Sequence, residues 1–398
     1  MFDSRYKALV LPIISGACSV LSFCSFVIFP SIWGTGPLRT FTEHNYVGGL
    51  YTFIIACSAM PIALYVDKSD DPELVAKYFA ISLCGVLLLL PGVWLLGCSG
   101  WGYVCILAAV SIHLIGLTTA MLILENRILR AALFQVVRPL LFAGALFAAV
   151  ALHSPIENWV IPYTASAAAV ALACVIFNPE LFRGAIRRFA FHARGYREIL
   201  LRMAACLSFS LYFQVELIFC GKLTALDVGV YAMIQKLYAS ISISLFSTLG
   251  VYLLAGYTNA NRARRKRILS LFTAFSVLSG CLVFAGGFSI SHLKNGHSIT
   301  ATMIAEASVL SVVFTIANFI NLYMSTFSPG NGLASMSLAI VVFLGEFFLF
   351  RPKTYTVLMA ESAIYFASYA AFSQMLRILA PAARKTASAN LVEDLSAL

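Results

Sequence analysis

Apolar residues in this chain come in long unbroken blocks, not in the alternating pattern of strands or the one-faced pattern of soluble helices. A bilayer's hydrocarbon layer takes about 20 residues of helix to cross. Blocks of that length predict spans over 8–30, 46–66, 76–97, 102–124, 131–152 and 159–177, then over 200–220, 228–254, 268–290, 301–323, 332–350 and 355–376. The first block is followed by more of the same, so it reads as a retained span and not a cleaved signal peptide. Connections are short, and the longest, 178–199, falls between the halves. It predicts an N-terminal six-helix lobe over 1–177, a basic cytoplasmic linker over 178–199, a C-terminal six-helix lobe over 200–380 and a cytoplasmic tail over 381–398. A local echo supports two related lobes. An apolar helix ending near Trp33 is followed by a loop and Val47-Gly48-Gly49-Leu50-Tyr51. A helix over 200–220 is followed by the turn Gly221–Asp227 and Val228-Gly229-Val230-Tyr231.

Composition adds to this picture. Hydrophobic residues make up 61% and charged residues 11%, far from the quarter usual in soluble domains. The +10 net charge is explained by where the cations fall. With the N-terminus inside, 20 of the 27 Lys and Arg residues lie on cytoplasmic segments and 5 on the opposite side, with Arg138 and Lys236 inside spans. That asymmetry sets the orientation, with both termini cytoplasmic. It points to anionic membrane lipids, not nucleic acid, as the partner of the basic loops. Ser328-Pro329-Gly330-Asn331-Gly332 predicts a loop between spans ten and eleven. Pro12, Pro61, Pro91, Pro139 and Pro162 sit within first-lobe spans, where static kinks are tolerated. The ten cysteines form no Cys-x-x-Cys pair and read as small apolar residues. Neither a phosphate-binding glycine loop nor a His-Glu-x-x-His motif occurs. No large loop gathers acid, base and nucleophile, so no enzyme, metal or cofactor is expected, and transport is.

Ionisable residues inside spans are the candidates for function, because desolvating them is costly. His113 and Arg138 lie in the first lobe. Glu216, Lys236, Glu306, Glu346 and Glu361 lie in the second. Glu216 and Lys236 fall at comparable depth on consecutive antiparallel helices, so they are expected to be able to pair. Asn318 and Asn321 share a face of span ten by their i, i+3 spacing, suited either to sugar hydroxyls or to a helix contact.

Twelve spans in two lobes, short loops and a Val-Gly signal opening the second helix of each lobe resemble the multidrug/oligosaccharidyl-lipid/polysaccharide exporter superfamily. The best-matching segment is Leu226-Asp227-Val228-Gly229-Val230-Tyr231-Ala232 with Gln235-Lys236-Leu237. Within that superfamily the size and basic character look most like bacterial O-antigen and polysaccharide flippases. The resemblance implies a V-shaped transporter with a central cavity and alternating access in the bacterial inner membrane. It implies a polyprenyl-diphosphate-linked oligosaccharide as substrate and polysaccharide polymerase or assembly proteins as further partners. On that reading Arg138, Lys236, His113, Asn318 and Asn321 bind substrate, and Glu216, Glu346 and Glu361 couple to an ion gradient. The competing reading is a cation-coupled exporter of small amphipathic drugs or metabolites on the same fold. A membrane glycosyltransferase, polymerase or ligase and a non-transporting assembly scaffold are the readings from other classes.

Overall fold

A computed structural model of the chain describes residues 17–18, 20–52, 72–125, 127–152, 158–180, 196–240, 242, 262–293 and 299–379. The expected tail over 381–398, residues 181–195 of the linker, and the expected kinks at Pro12 and Pro61 lie outside the described residues. The described residues are helical between short turns and contain no strand. The elements are α1 (Val20–Trp33), α2 (Gly36–His44), α3 (Tyr46–Tyr51), α4 (Pro72–Leu95), α5 (Trp101–Leu124), α6 (Ile128–Ala151) and α7 (Val160–Phe177). The second half holds α8 (Tyr196–Leu223), α9 (228–240), α10 (Arg262–Ser291), α11 (Ala301–Phe327), α12 (Pro329–Phe350) and α13 (Tyr355–Leu379).

Among the described residues, each expected span carries helix, while 8–16, 53–66 and 243–254 of the expected spans lie outside the described residues. Among the described residues, six segments are long and apolar enough to cross a membrane: Trp101–Leu122, Leu129–Ala151, Val160–Phe177, Lys266–Ser291, Ala301–Met324 and Pro329–Phe350. Their outward faces stay greasy, with Leu107, Phe147, Ile176, Val341 and Leu349 exposed, as helices solvated by lipid require. Two expectations are corrected. The connection after Trp33 is not all loop: Leu38 and Phe41 bury one side of a nine-residue helix, α2. The expected loop Ser328–Gly332 shrinks to Ser328, because Pro329 opens α12 directly. A proline at the first helical position forfeits an N–H that had no partner there anyway.

Prolines shape the first half. Pro30 cannot donate to the carbonyl four residues back, and the helix just before it widens into a π turn, Cys24–Ile28, which carries Phe26. Pro139 likewise frees the Gln135 carbonyl. The Cys18 thiol, two residues before α1, donates to that oxygen at 3.4 Å, so a neighbouring segment restores the lost bond.

Packing is dense within each half and sparse between them. In the second half α10 packs on α11, α12 on α13, and α8 against α11 and α12, around Phe213, Phe314, Tyr365 and Phe366. In the first half α5 packs against α3, α6 and α7. The Val-Gly signals mark places where helices come too close for side chains. A Cβ on Gly48 would lie 2.8 Å from the Cys105 carbonyl oxygen of α5, and one on Gly49 would collide with the Gln214 amide of α8. A Cβ on Gly229 would lie 2.7 Å from the Thr35 carbonyl oxygen. Gly49 and Gly229 therefore face the opposite half, each where the two halves meet.

Candidate functional site

Two polar clusters lie within the helices, one acidic and one cationic. The acidic cluster is built on Glu216 of α8, which is fully buried. Tyr212, one helical turn earlier, donates its hydroxyl to Glu216 Oε1 at 2.8 Å. Ser362 of α13 donates to the same oxygen and lies 3.3 Å from the Tyr231 hydroxyl of α9. Glu216 Oε2 has no hydrogen-bond partner. Beside Ser362, Glu361 is 2% exposed, and neither of its carboxylate oxygens has a partner. Glu361 feels the charges of Glu216 and of Glu346 on α12. Glu346 and Glu306 are half-buried, each with one unpartnered oxygen. Unpaired carboxylates in a low-dielectric interior are strongly disfavoured. Such a cluster is chemically suited to holding a proton or a cation.

The cationic cluster joins the two halves. Arg138, on α6 beside the Pro139 kink, places its guanidinium carbon 5.8 Å from the centre of the Tyr163 ring of α7. Lys236, on α9, places Nζ 5.2 Å from the centre of the Phe26 ring in the π turn of α1. Phe26 and Tyr163 meet edge to face at 6.5 Å. Both cations are half-buried, and each lies in the other's field. No ion pair with a described carboxylate neutralises either one. Aromatic faces hold cations without cancelling their charge.

The expected pairing of Glu216 with Lys236 does not form. The reason is helical geometry. Tyr231 and Gln235 of α9 face Glu216. At 3.6 residues per turn, Lys236 is rotated by about 140° from Tyr231. It therefore points to the first half, toward Phe26 and Arg138. Among the remaining candidates, His113 is 1% exposed and edge-on to Tyr78 at 5.3 Å and Tyr51 at 6.5 Å, with neither ring nitrogen hydrogen-bonded. Asn321 is buried and accepts from the Tyr369 hydroxyl of α13 at 3.2 Å, which is a helix contact. Asn318 is half-exposed, a turn away. The structure thus brings together Arg138 with Lys236, and Glu216 with Glu361 and Glu346. His113 and Asn321 sit apart from both groups, each with its own neighbours.

Sequence reasoning missed Tyr212, Ser362, Phe26 and Tyr163, and it quoted Tyr231 only as part of the Val-Gly motif and not as a neighbour of the acidic cluster. Of the four, only Tyr212 left a signal, its i, i+4 spacing to Glu216.

No known family model and no curated protein matches the sequence. Solved structures do match. An outward-facing multidrug resistance MATE family transporter of the MOP superfamily superposes with a TM-score of 0.65 at 13% identity, over 97% of this chain and 98% of that one. The chain has the fold of a MATE transporter. A MATE transporter in complex with MaL6 gives 0.64 at 14% identity, over 98% and 97% of the two chains. A MOP-superfamily transporter from Pyrococcus furiosus, for which reverse polarity of the binding pocket suggests a different function, gives 0.64 at 15% identity, again over 98% and 97%. The helices accordingly form two pseudo-repeated six-span lobes in a V around a central cavity, the architecture expected from the sequence. The relatives are transporters rather than enzymes, and the chain is a multi-pass membrane protein of their fold.

Proposed function

We propose that this chain is an exporter working by alternating access in a bacterial inner membrane, with both termini cytoplasmic. Its cargo is an anionic amphiphile, a polyprenyl-diphosphate-linked oligosaccharide moved from the inner to the outer leaflet. The observation that carries this reading is the Arg138–Lys236 pair. Each lobe contributes one cation, each cation rests on an aromatic face, and neither is cancelled by a carboxylate. A diphosphate between them would satisfy both. The sugars would occupy the wet cavity and the polyprenyl chain would remain in lipid between the lobes. The reverse pocket polarity of the Pyrococcus furiosus transporter fits a cationic site on this fold. The basic linker over 178–199 and the basic start of α10 anchor the cytoplasmic face to anionic lipids, and polysaccharide assembly proteins are the natural partners of such a flippase. The test is the leaflet location of lipid-linked glycan in cells depleted of the chain. Precursor held on the cytoplasmic leaflet supports the reading; a normal distribution defeats it.

A second reading, a cation-coupled exporter of small amphipathic drugs or metabolites, has an observation of its own. Glu216 and Glu361 form a buried, incompletely bonded acidic cluster. The likeness to multidrug MATE transporters favours this reading over the first. Hypersensitivity of a deletion strain to amphipathic cations, with normal precursor distribution, would establish it.

A further inference from the structure

The outer ends of the lobes, on the side poor in Lys and Arg, are joined by contacts that neither the acidic nor the cationic cluster uses. We propose that α2 is a strap across the outer mouth of the cavity, that it latches onto the Asp227–Gly229 turn, and that this latch opens once per transport cycle. The inference rests on the transporter fold and its orientation, not on the identity of the cargo.

The fixed side of the latch is the turn before α9. Tyr355 of α13 clamps the Asp227 backbone, accepting from its N–H at 3.0 Å and donating to its carbonyl at 3.2 Å. Asp227 Oδ1 accepts the Gly229 N–H at 2.7 Å, capping the new helix. Its other oxygen, Oδ2, accepts from the Thr35 hydroxyl of the first lobe at 3.4 Å. One carboxylate thus caps a helix in its own lobe and binds the strap of the other. Gly229 sets how close the strap comes. Any Cβ there would lie 2.7 Å from the Thr35 carbonyl oxygen and 2.9 Å from Arg39 Cβ.

The strap travels with the first lobe. At its far end the Glu43 carbonyl accepts from the Cys98 thiol at 3.4 Å, and His44 Nδ1 meets the Ser99 hydroxyl at 3.0 Å. Its near end is Gly34, whose φ of +98° is a conformation that favours glycine and has open space around it. Arg39 bonds Glu43 at 3.1 Å, with both side chains exposed, and also lies in the field of Asp227. An exposed ion pair contributes little, so Arg39 exchanges readily between the two carboxylates. Beneath this polar layer Tyr46 rests against Gly221, and Gln214 rests against Gly49. The polar layer of the outer closure, Thr35, Arg39 and Asp227, is therefore made of groups that water can replace, while Leu38, Phe41 and Tyr46 pack beneath it in the buried cluster with Val228 and Val230.

The test reads accessibility and needs no cargo. Lys236→Cys places a thiol below the latch. A membrane-impermeant maleimide is applied from the outer face, and labelling is compared with the chain lacking that cysteine. Adding Gly229→Leu wedges the strap away and is expected to speed labelling at least tenfold, with Asp227→Asn doing so more weakly. Tying Thr35→Cys to Asp227→Cys with a short bifunctional thiol reagent is expected to abolish labelling. Labelling that ignores both the wedge and the tie overturns the proposal. Because Lys236→Cys itself removes a cation of the proposed cargo site, the labelling responses are read alone, and the cargo reading is tested separately by the leaflet location of lipid-linked glycan in cells depleted of the chain.

Discussion

Glu216 shows how much of a site one residue type reveals. A carboxylate in an apolar block is conspicuous in any sequence, and burial confirms that this one lies inside the protein. Of its hydroxyl partners, Tyr212 is marked by its i, i+4 spacing, but Ser362 was not legible, because it lies far along the chain and serines are common in membrane helices. Lys236 was legible as a buried cation but not in its direction, since a difference of one residue turns a side chain by about 100°. Two expectations follow. Glu216→Gln keeps the size and one acceptor but removes the charge. Transport should fall more than tenfold while the protein stays folded, measured as export by reconstituted vesicles beside the thermal unfolding curve. Unchanged transport would mean that the acidic cluster is only structural. Ser362→Ala withdraws a donor from a buried carboxylate and should lower unfolding stability by about 1–3 kcal/mol, read in detergent micelles. A stability equal to wild type would show that Ser362 contributes no net bond.

At the scale of elements, span positions were readable because bilayer thickness fixes the length of an apolar block. What the blocks hid was close packing. Gly280 of α10 faces α11 so tightly that a Cβ would lie 2.8 Å from Val312 Cγ2 and 3.0 Å from the Ser308 carbonyl oxygen. One residue earlier, Ser279 joins Ser242 of the second-lobe segment after α9 and Ser311 of α11 in a closed hydroxyl triangle. The oxygen separations are 3.0, 2.8 and 2.6 Å. Small residues let helices approach, and hydroxyls then bond across them, as lipid-solvated bundles require. The strap α2 was hidden for another reason: nine residues between two spans are too short to stand out as an apolar block. Gly280→Leu should push α10 off α11 and cost about 1–3 kcal/mol by overpacking, whereas Ser279→Ala should cost only about 0.6 kcal/mol, the average for an interhelical hydrogen bond. Unfolding titrations in mixed micelles check the order. Equal costs would place the stability in the triangle and not in the close approach.

For the whole molecule, the arrangement of charge ties the fold to its work. Like charges repel more strongly in a low-dielectric interior than in water. On the proposed reading, Arg138 of one half and Lys236 of the other repel each other while no anion is bound, and a dianion between them would turn that repulsion into a bridge. The aromatic supports matter because Phe26 reaches Lys236 from the π turn that Pro30 imposes. A backbone irregularity in one lobe thus positions the cation of the other. If one anion bridges both cations, removing either should break the bridge. Arg138→Gln and Lys236→Gln should each reduce translocation more than tenfold, and the double variant should be little worse than either single one. Independent sites would instead multiply their losses, since separated effects add in free energy. Leaflet location of lipid-linked glycan, measured at equal protein level for the singles and the double, separates the two outcomes. A multiplied loss would leave both residues in the cavity but assign them to different contacts, and the shared diphosphate would have to be given up.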